Sequence, residues 1–120
     1  MLPKSNTKDF GIKGEDFAVT LLQENGYTII TRNFRTRFAE IDIIARDGDT
    51  LVFVEVKTRR SIRLGLPEEA VDMRKLTKIK KAIDYYLITH PNPLTKLRID
   101  VVSLQIALDN IVSAKIIKVS

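Results

Sequence analysis

Residues 39–58 read AEIDIIARDGDTLVFVEVKT, two apolar-rich runs flanking Asp47-Gly48-Asp49-Thr50. Runs of this kind around a two-residue loop with Gly at its first central place predict a β-hairpin closed by a type II′ turn. The loop sets Asp47 opposite Thr50, and hence Asp42 opposite Glu55 and Glu40 opposite Lys57. Hydrophobicity tests this register independently, because a one-residue slip reverses the faces of one strand. In this register Ile41, Ile43 and Ala45 share an apolar face with Val52, Val54 and Val56, while the other face carries Glu40, Asp42, Glu55 and Lys57 beside Ile44 and Phe53.

Before the hairpin, a helix is expected from about Asp9 to Asn25, closed by Gly26, with Phe10, Phe17, Leu21 and Leu22 on its apolar face. Gly11 and Gly14 would let this helix approach a sheet closely. YTIITRNF, from Tyr27, reads as a first strand. After the hairpin, Pro67-Glu68-Glu69 suits a helix start. That helix should run to about Thr89, with Leu76, Ile79, Ile83 and Tyr86 facing inward. LRIDVVSLQIA and IVSAKIIKV close the chain as two strands joined at Asp109-Asn110. The order α-β-β-β-α-β-β predicts an α/β fold, a mixed central sheet with flanking helices. One domain over residues 1–120 is expected, with residues 1–8 as a flexible tail.

Composition narrows the function classes. The absence of Cys excludes disulfides, thiolate zinc sites and a Cys nucleophile, and fits a reducing cytoplasm. The N-terminus lacks the apolar stretch of a signal peptide and no run is long enough to span a bilayer, so a cytoplasmic protein without membrane partners is expected. The net charge of +5, from 20 Lys and Arg against 15 Asp and Glu, favours a polyanionic partner. The positive residues crowd at Arg32, Arg35 and Arg37, then at Lys57, Arg59, Arg60 and Arg63, and again at Arg74, Lys75, Lys78, Lys80 and Lys81.

Directly opposed residues of an antiparallel pair lie roughly 5 Å apart. Asp42 and Glu55 therefore offer two carboxylates to one small space, with Lys57 on the same face. Like charges so close raise one pKa or recruit a cation. Oxygen-only ligands suit Mg²⁺ or Mn²⁺, and an ion so held can orient a phosphodiester and activate water, with Lys57 stabilising the transition state. The bland alternative is a half-exposed face of cross-strand ion pairs, such as Glu40 with Lys57. Glu15 shares a helical row with Gly11, Ala18 and Leu22 at the margin of the inward face, though a Glu in the first turns also suits the helix dipole. Arg74, Lys78 and Lys81 recur with Tyr85 at one-turn spacing, which suits a phosphate backbone, whereas Lys80 reads as solvated. His90 reads as a loop residue, and Arg98 with Asp100 as a buried pair supporting the site.

The succession Gly11-x-x-Gly14-Glu15-x-x-Ala18, Gly26-Tyr27, Arg32-Asn33-Phe34-Arg35, AEIDII, FVEVKTR, PEEAV and RIDVV closely resembles the YraN-type family of uncharacterised bacterial proteins, from about Gly11 to Val102. Ala39 stands where that family usually has Gly. Its members look like small PD-(D/E)XK nucleases akin to archaeal Holliday-junction resolvases. The resemblance implies a restriction-endonuclease-like core and Mg²⁺-dependent cleavage of DNA. By that resemblance Asp42 and Glu55 would bind the metal, Lys57 would be the catalytic lysine, and Glu15 would complete the metal site.

Three functions follow. One is a Mg²⁺- or Mn²⁺-dependent endonuclease on DNA, with branched or damaged structures as substrates and Arg59, Arg60, Arg74, Lys75, Lys78 and Lys81 holding the nucleic acid. Another is a nucleic-acid-binding module on a nuclease fold with little or no cleavage. The third is an assembly partner whose acids are structural. Symmetric cutting of two strands would call for a homodimer, for which an apolar C-terminal strand is the candidate interface.

Overall fold

A computed structural model describes residues 7–59, 73–91, 94, 96–108 and 110–119, with side chains in the first helix described from residue 14. Helix α1 (Thr7–Glu24) is followed by strands β1 (Thr28–Arg35), β2 (Glu40–Asp47) and β3 (Thr50–Arg59), helix α2 (Met73–Thr89), and strands β4 (Lys96–Ala107) and β5 (Asn110–Lys118). The five strands form one open sheet in the order β1-β2-β3-β4-β5. Only β3 and β4 are parallel, so the sheet is mixed. Parallel neighbours need a crossover, and the segment containing α2 supplies it. The expected start of that helix at Pro67 lies outside the described residues.

Each helix covers one face. On the α1 side Ala18, Leu22 and Tyr27 pack with Ile43, Ala45, Val52, Val54, Val102 and Leu104. On the α2 side Ile79, Ala82, Ile83 and Tyr86 pack with Ile41, Ile44, Leu51, Phe53 and Ile99. With both faces covered, Leu51 to Val54 are all buried, which explains an apolar run without alternation.

The inner row of α1 differs from expectation. Phe17 is 40% exposed, while Ala18 and Leu22 are fully buried; the side chain of Phe10 lies outside the described residues. Gly14, Ala18 and Leu22 form the row that meets the sheet, with its closest approach at the Gly14 end, and Phe17 falls at its margin. A Cβ at Gly14 would meet Thr58 Oγ1 at 3.1 Å and Leu104 Cδ1 at 3.3 Å. The helix ends as expected at Gly26, whose φ is +88°. Tyr27 N–H donates to Leu22 O and Gly26 N–H to Gln23 O, the two bonds of a Schellman motif.

The hairpin register holds from Asp47↔Thr50 to Ile43↔Val54. Gly48 has φ +61° and Asp49 does not have positive φ, the signs of a type II′ turn. Beyond Ile43 the main-chain pairing of β2 with β3 stops, and Asp42 Oδ2 accepts the Val56 N–H at 2.8 Å instead. The faces change here too. Ile41 packs on the α2 side rather than with Ile43 and Ala45, and so does Phe34, directly opposite it on β1. Asn33, between the paired residues Arg32 and Phe34, has φ +55°, a left-handed conformation that breaks the alternation of a strand. The second hairpin is also shifted from its expected position. Asn110 already pairs with Ala107, and the positive φ (+51°) falls on exposed Leu108.

Candidate active site

The contorted rung of β1, β2 and β3 is where the acids gather. Carboxylate oxygens of Glu15 from α1 and of Glu40 and Asp42 from β2 all lie within 4.8 Å of one another. With its amide nitrogen turned toward the acids, Asn33 donates to Glu15 Oε1 at 3.0 Å and Glu40 Oε1 at 2.8 Å. Arg32 pairs with Asp16 at 2.8 Å. Glu40 pairs with Arg35 at 3.7 Å, so the cross-strand partner expected for it, Lys57, is engaged elsewhere.

Glu55 is 8% exposed. Lys57 Nζ lies 3.4 Å from its Oε1, and Lys75 Nζ from α2 pairs with the same oxygen. Lys75, grouped by sequence with the nucleic-acid-binding cations, is thus turned into the acidic centre. Arg74 and Lys78 line a cleft of about 620 Å³ together with Lys75, Phe38, Ala39, Glu40, Asp42 and Glu55. Arg59 ends β3 opposite Gln105, and Arg60 lies outside the described residues. Ser103, which pairs with Lys57 across β3 and β4, has a buried hydroxyl with no hydrogen-bond partner among the described residues.

The ionisation states follow from this crowding. Burial pushes the Asp42 carboxyl up to about 7, helped by the charges of Glu55, Glu15 and Glu40 and opposed by the Val56 N–H. Glu15 is also raised, first by burial, with Arg32 opposing and Glu40 and Asp16 adding to it. Burial lowers Lys57, and its hydrogen bond with Lys75 lowers it further against the pull of Glu55. Burial works against the charge of Lys75, but its hydrogen bonds to Glu55 and Lys57 outweigh that and raise it. The centre therefore contains carboxyls raised by burial and crowding, beside a lysine lowered by burial and by its bond with Lys75, a pattern typical of sites that bind cations or move protons.

Arg98 and Asp100 do form a buried pair, but on the α1 side. Arg98 donates to Asp100 Oδ1 and to Asp47 Oδ2, both at 2.7 Å, and Tyr27 O–H donates to Asp100 Oδ2 at 2.7 Å. This network ties the end of α1 to the hairpin and β4, and none of its bonds reaches the acids. His90 stacks on Tyr86 with ring centroids 4.4 Å apart, a packing role in keeping with its expected place beyond the helix. Ala39 is accommodated without strain: its φ is not positive and its methyl packs into the α2 core.

Two participants escaped the sequence reading. Glu40 reads as a partner for Lys57 but joins Glu15 and Asp42. Asn33 matters because it takes a left-handed backbone and bridges two acids. Its only sequence signal is that Asn is depleted in strands and tolerates positive φ.

A mixed five-stranded sheet carrying acids from α1, β2 and β3 beside two lysines defines an α/β domain with a charged cleft at a break in its sheet. The model of the uncharacterised protein family UPF0102 matches residues 14–104. A UPF0102 protein of Dictyoglomus thermophilum is 44% identical over 99 residues, covering 82% of this chain and 84% of its own. One from Caldicellulosiruptor bescii is 44% identical over 115 residues, covering 94% and 97%. One from Syntrophus aciditrophicus is 50% identical over 96 residues, covering 80% and 76%. The chain belongs to UPF0102, the YraN-type family of its sequence resemblance.

Proposed function

We propose that this protein is a divalent-metal-dependent endonuclease that hydrolyses phosphodiester bonds of DNA. The observation that carries the reading is the meeting of Glu15, Glu40 and Asp42 within 4.8 Å, beside Glu55 and Lys57. Their donor atoms are all carboxylate oxygens, which suits Mg²⁺ or Mn²⁺. Asp42, Glu55 and Glu15 would hold the ion, with Glu40 within reach. Bound there, it would neutralise phosphate charge and acidify a water. Lys57 supplies a donor beside Glu55 for the phosphate oxygens as their charge grows. Arg74 and Lys78, on the cleft wall contributed by α2, position the strand, and Arg59 at the end of β3 extends the basic surface.

The ion pairs of Glu55 with both Lys57 and Lys75 favour a second reading. There the lysines satisfy the acid permanently and the domain binds nucleic acid without cutting it. Labelled single-stranded, duplex, flap and four-way-junction DNA, incubated with Mg²⁺ or Mn²⁺, separates the two. The endonuclease reading expects cleavage by the wild type and at least about a hundred-fold loss in Glu55→Ala and Lys57→Ala. Binding without cleavage in all three proteins leaves the second reading in place.

A further inference from the structure

We propose that Phe38 is a stacking platform for an unpaired nucleobase beside the phosphate held in the acidic cleft. The preferred substrate is then a nucleic acid with a strand displaced from its duplex. This inference rests on the nucleic-acid reading above.

Phe38 lies in the bend joining β1 to β2, is partly buried, and among the described residues belongs to neither hydrophobic core. The turn is fixed by one hydroxyl. Thr36 Oγ1 accepts from the Phe38 N–H at 3.0 Å and the Ala39 N–H at 3.1 Å and donates to Ala39 O at 2.9 Å. Phe38 lines the same cleft as Asp42 and Glu55. Cations attend it: the Arg37 guanidinium carbon is 4.9 Å from the ring centroid and Lys81 Nζ is 6.0 Å away.

An aromatic ring with cations over its face, lining a cleft of mixed acidic and basic residues, matches one nucleotide and the backbone around it. An exposed cation on an aromatic ring is held more weakly than a stacked base, so a base can displace Arg37 and leave its guanidinium for a phosphate. Bases within a duplex have both faces covered by neighbours. The ring can therefore receive only a base that is already unstacked or is extruded, which confers preference for single-stranded, flapped or branched substrates.

The test measures affinity in EDTA, so that cleavage is irrelevant. A labelled single-stranded oligonucleotide and its duplex are titrated with wild type, Phe38→Leu and Phe38→Trp. Leu keeps the apolar bulk without the π-face, and Trp keeps the face and provides the sole indole of a chain that has no Trp. Phe38→Leu is expected to lose about ten-fold in single-strand affinity and less than about two-fold for the duplex. Phe38→Trp retains affinity, and its fluorescence is quenched by the single strand. A Leu variant that binds both forms like wild type, or an unquenched Trp, overturns the stacking role while leaving the nucleic-acid reading intact. A wild type that binds neither form, in EDTA or after Mn²⁺ is added, overturns both.

Discussion

Two groups of charged residues are organised around this sheet, and they are built on opposite plans. On the α1 side Arg98, Asp100, Tyr27 and Asp47 close on one another: Asp100 is fully buried, and both its oxygens accept hydrogen bonds. At the break in β1 and β2, Glu15, Glu40 and Asp42 face each other with an amide between two of them and no ion pair to Asp42 among the described residues. The first group is electrostatically complete and holds elements together. The second is incomplete, and two of its carboxyls, Asp42 and Glu15, are raised above the ordinary carboxylate range, first by burial and then by their acidic neighbours. A fold that can satisfy one buried carboxylate fully, yet leaves others crowded a few residues away, has a use for the crowding.

Mutations should separate the two plans by sign. The largest effect is expected at Asp100. Asp100→Ala takes the buried acceptor from both Tyr27 and Arg98, leaving Arg98 only Asp47 as an acid partner, and should cost about 3 kcal/mol in urea unfolding. The opposite sign is expected at Asp42. Without metal and at pH 8, Asp42→Asn removes a buried like charge yet keeps an oxygen for the Val56 N–H. It should therefore raise the unfolding free energy by roughly 1–3 kcal/mol.

The pH dependence of the metal-free protein sharpens the same point. Between the ordinary 3.8 and about 7, folded Asp42 holds a proton that the unfolded chain has released. Raising the pH through that window therefore favours unfolding, by at most roughly 4 kcal/mol. Thermal melts in chelator should show this fall in the wild type and a flatter profile in Asp42→Asn. The smallest effect is expected at Gly14, where Ala improves helix propensity but presses on Thr58 and Leu104. Gly14→Ala should change stability by less than about 1 kcal/mol in the same assay, the two effects nearly cancelling.

Much of this was legible in the residues. The element order, the II′ turn and the hairpin register as far as Ile43↔Val54 follow from periodicity and turn chemistry, and extending that register points to Asp42 and Glu55, which line one cleft, with Lys57 beside Glu55. What escaped lies where a local rule is broken. Strict alternation places Ile41 with Ile43, and it cannot foresee that Asn33 takes a positive φ and turns the rung. The alternative pairing of Glu40 with Lys57 fails for the same reason, because the ladder that would oppose them stops at Ile43↔Val54. Phe17 misled differently. Helical spacing marks an apolar face but not how closely it approaches the sheet, and Gly14 sets that distance. Lys75 was hidden because the choice between solvent and Glu55 depends on where α2 lies across the sheet, a tertiary fact.

The central claim is that the crowded acids await a divalent ion. Calorimetric titration of Mn²⁺ into the wild type and Asp42→Asn, at pH 8 and at pH 6, tests it most directly. Saturable binding by the wild type at pH 8, weaker at pH 6 because Asp42 must first lose its proton and absent in Asp42→Asn, is the predicted result. A wild type that takes up no Mn²⁺, or an Asp42→Asn variant that binds it equally well, would contradict it.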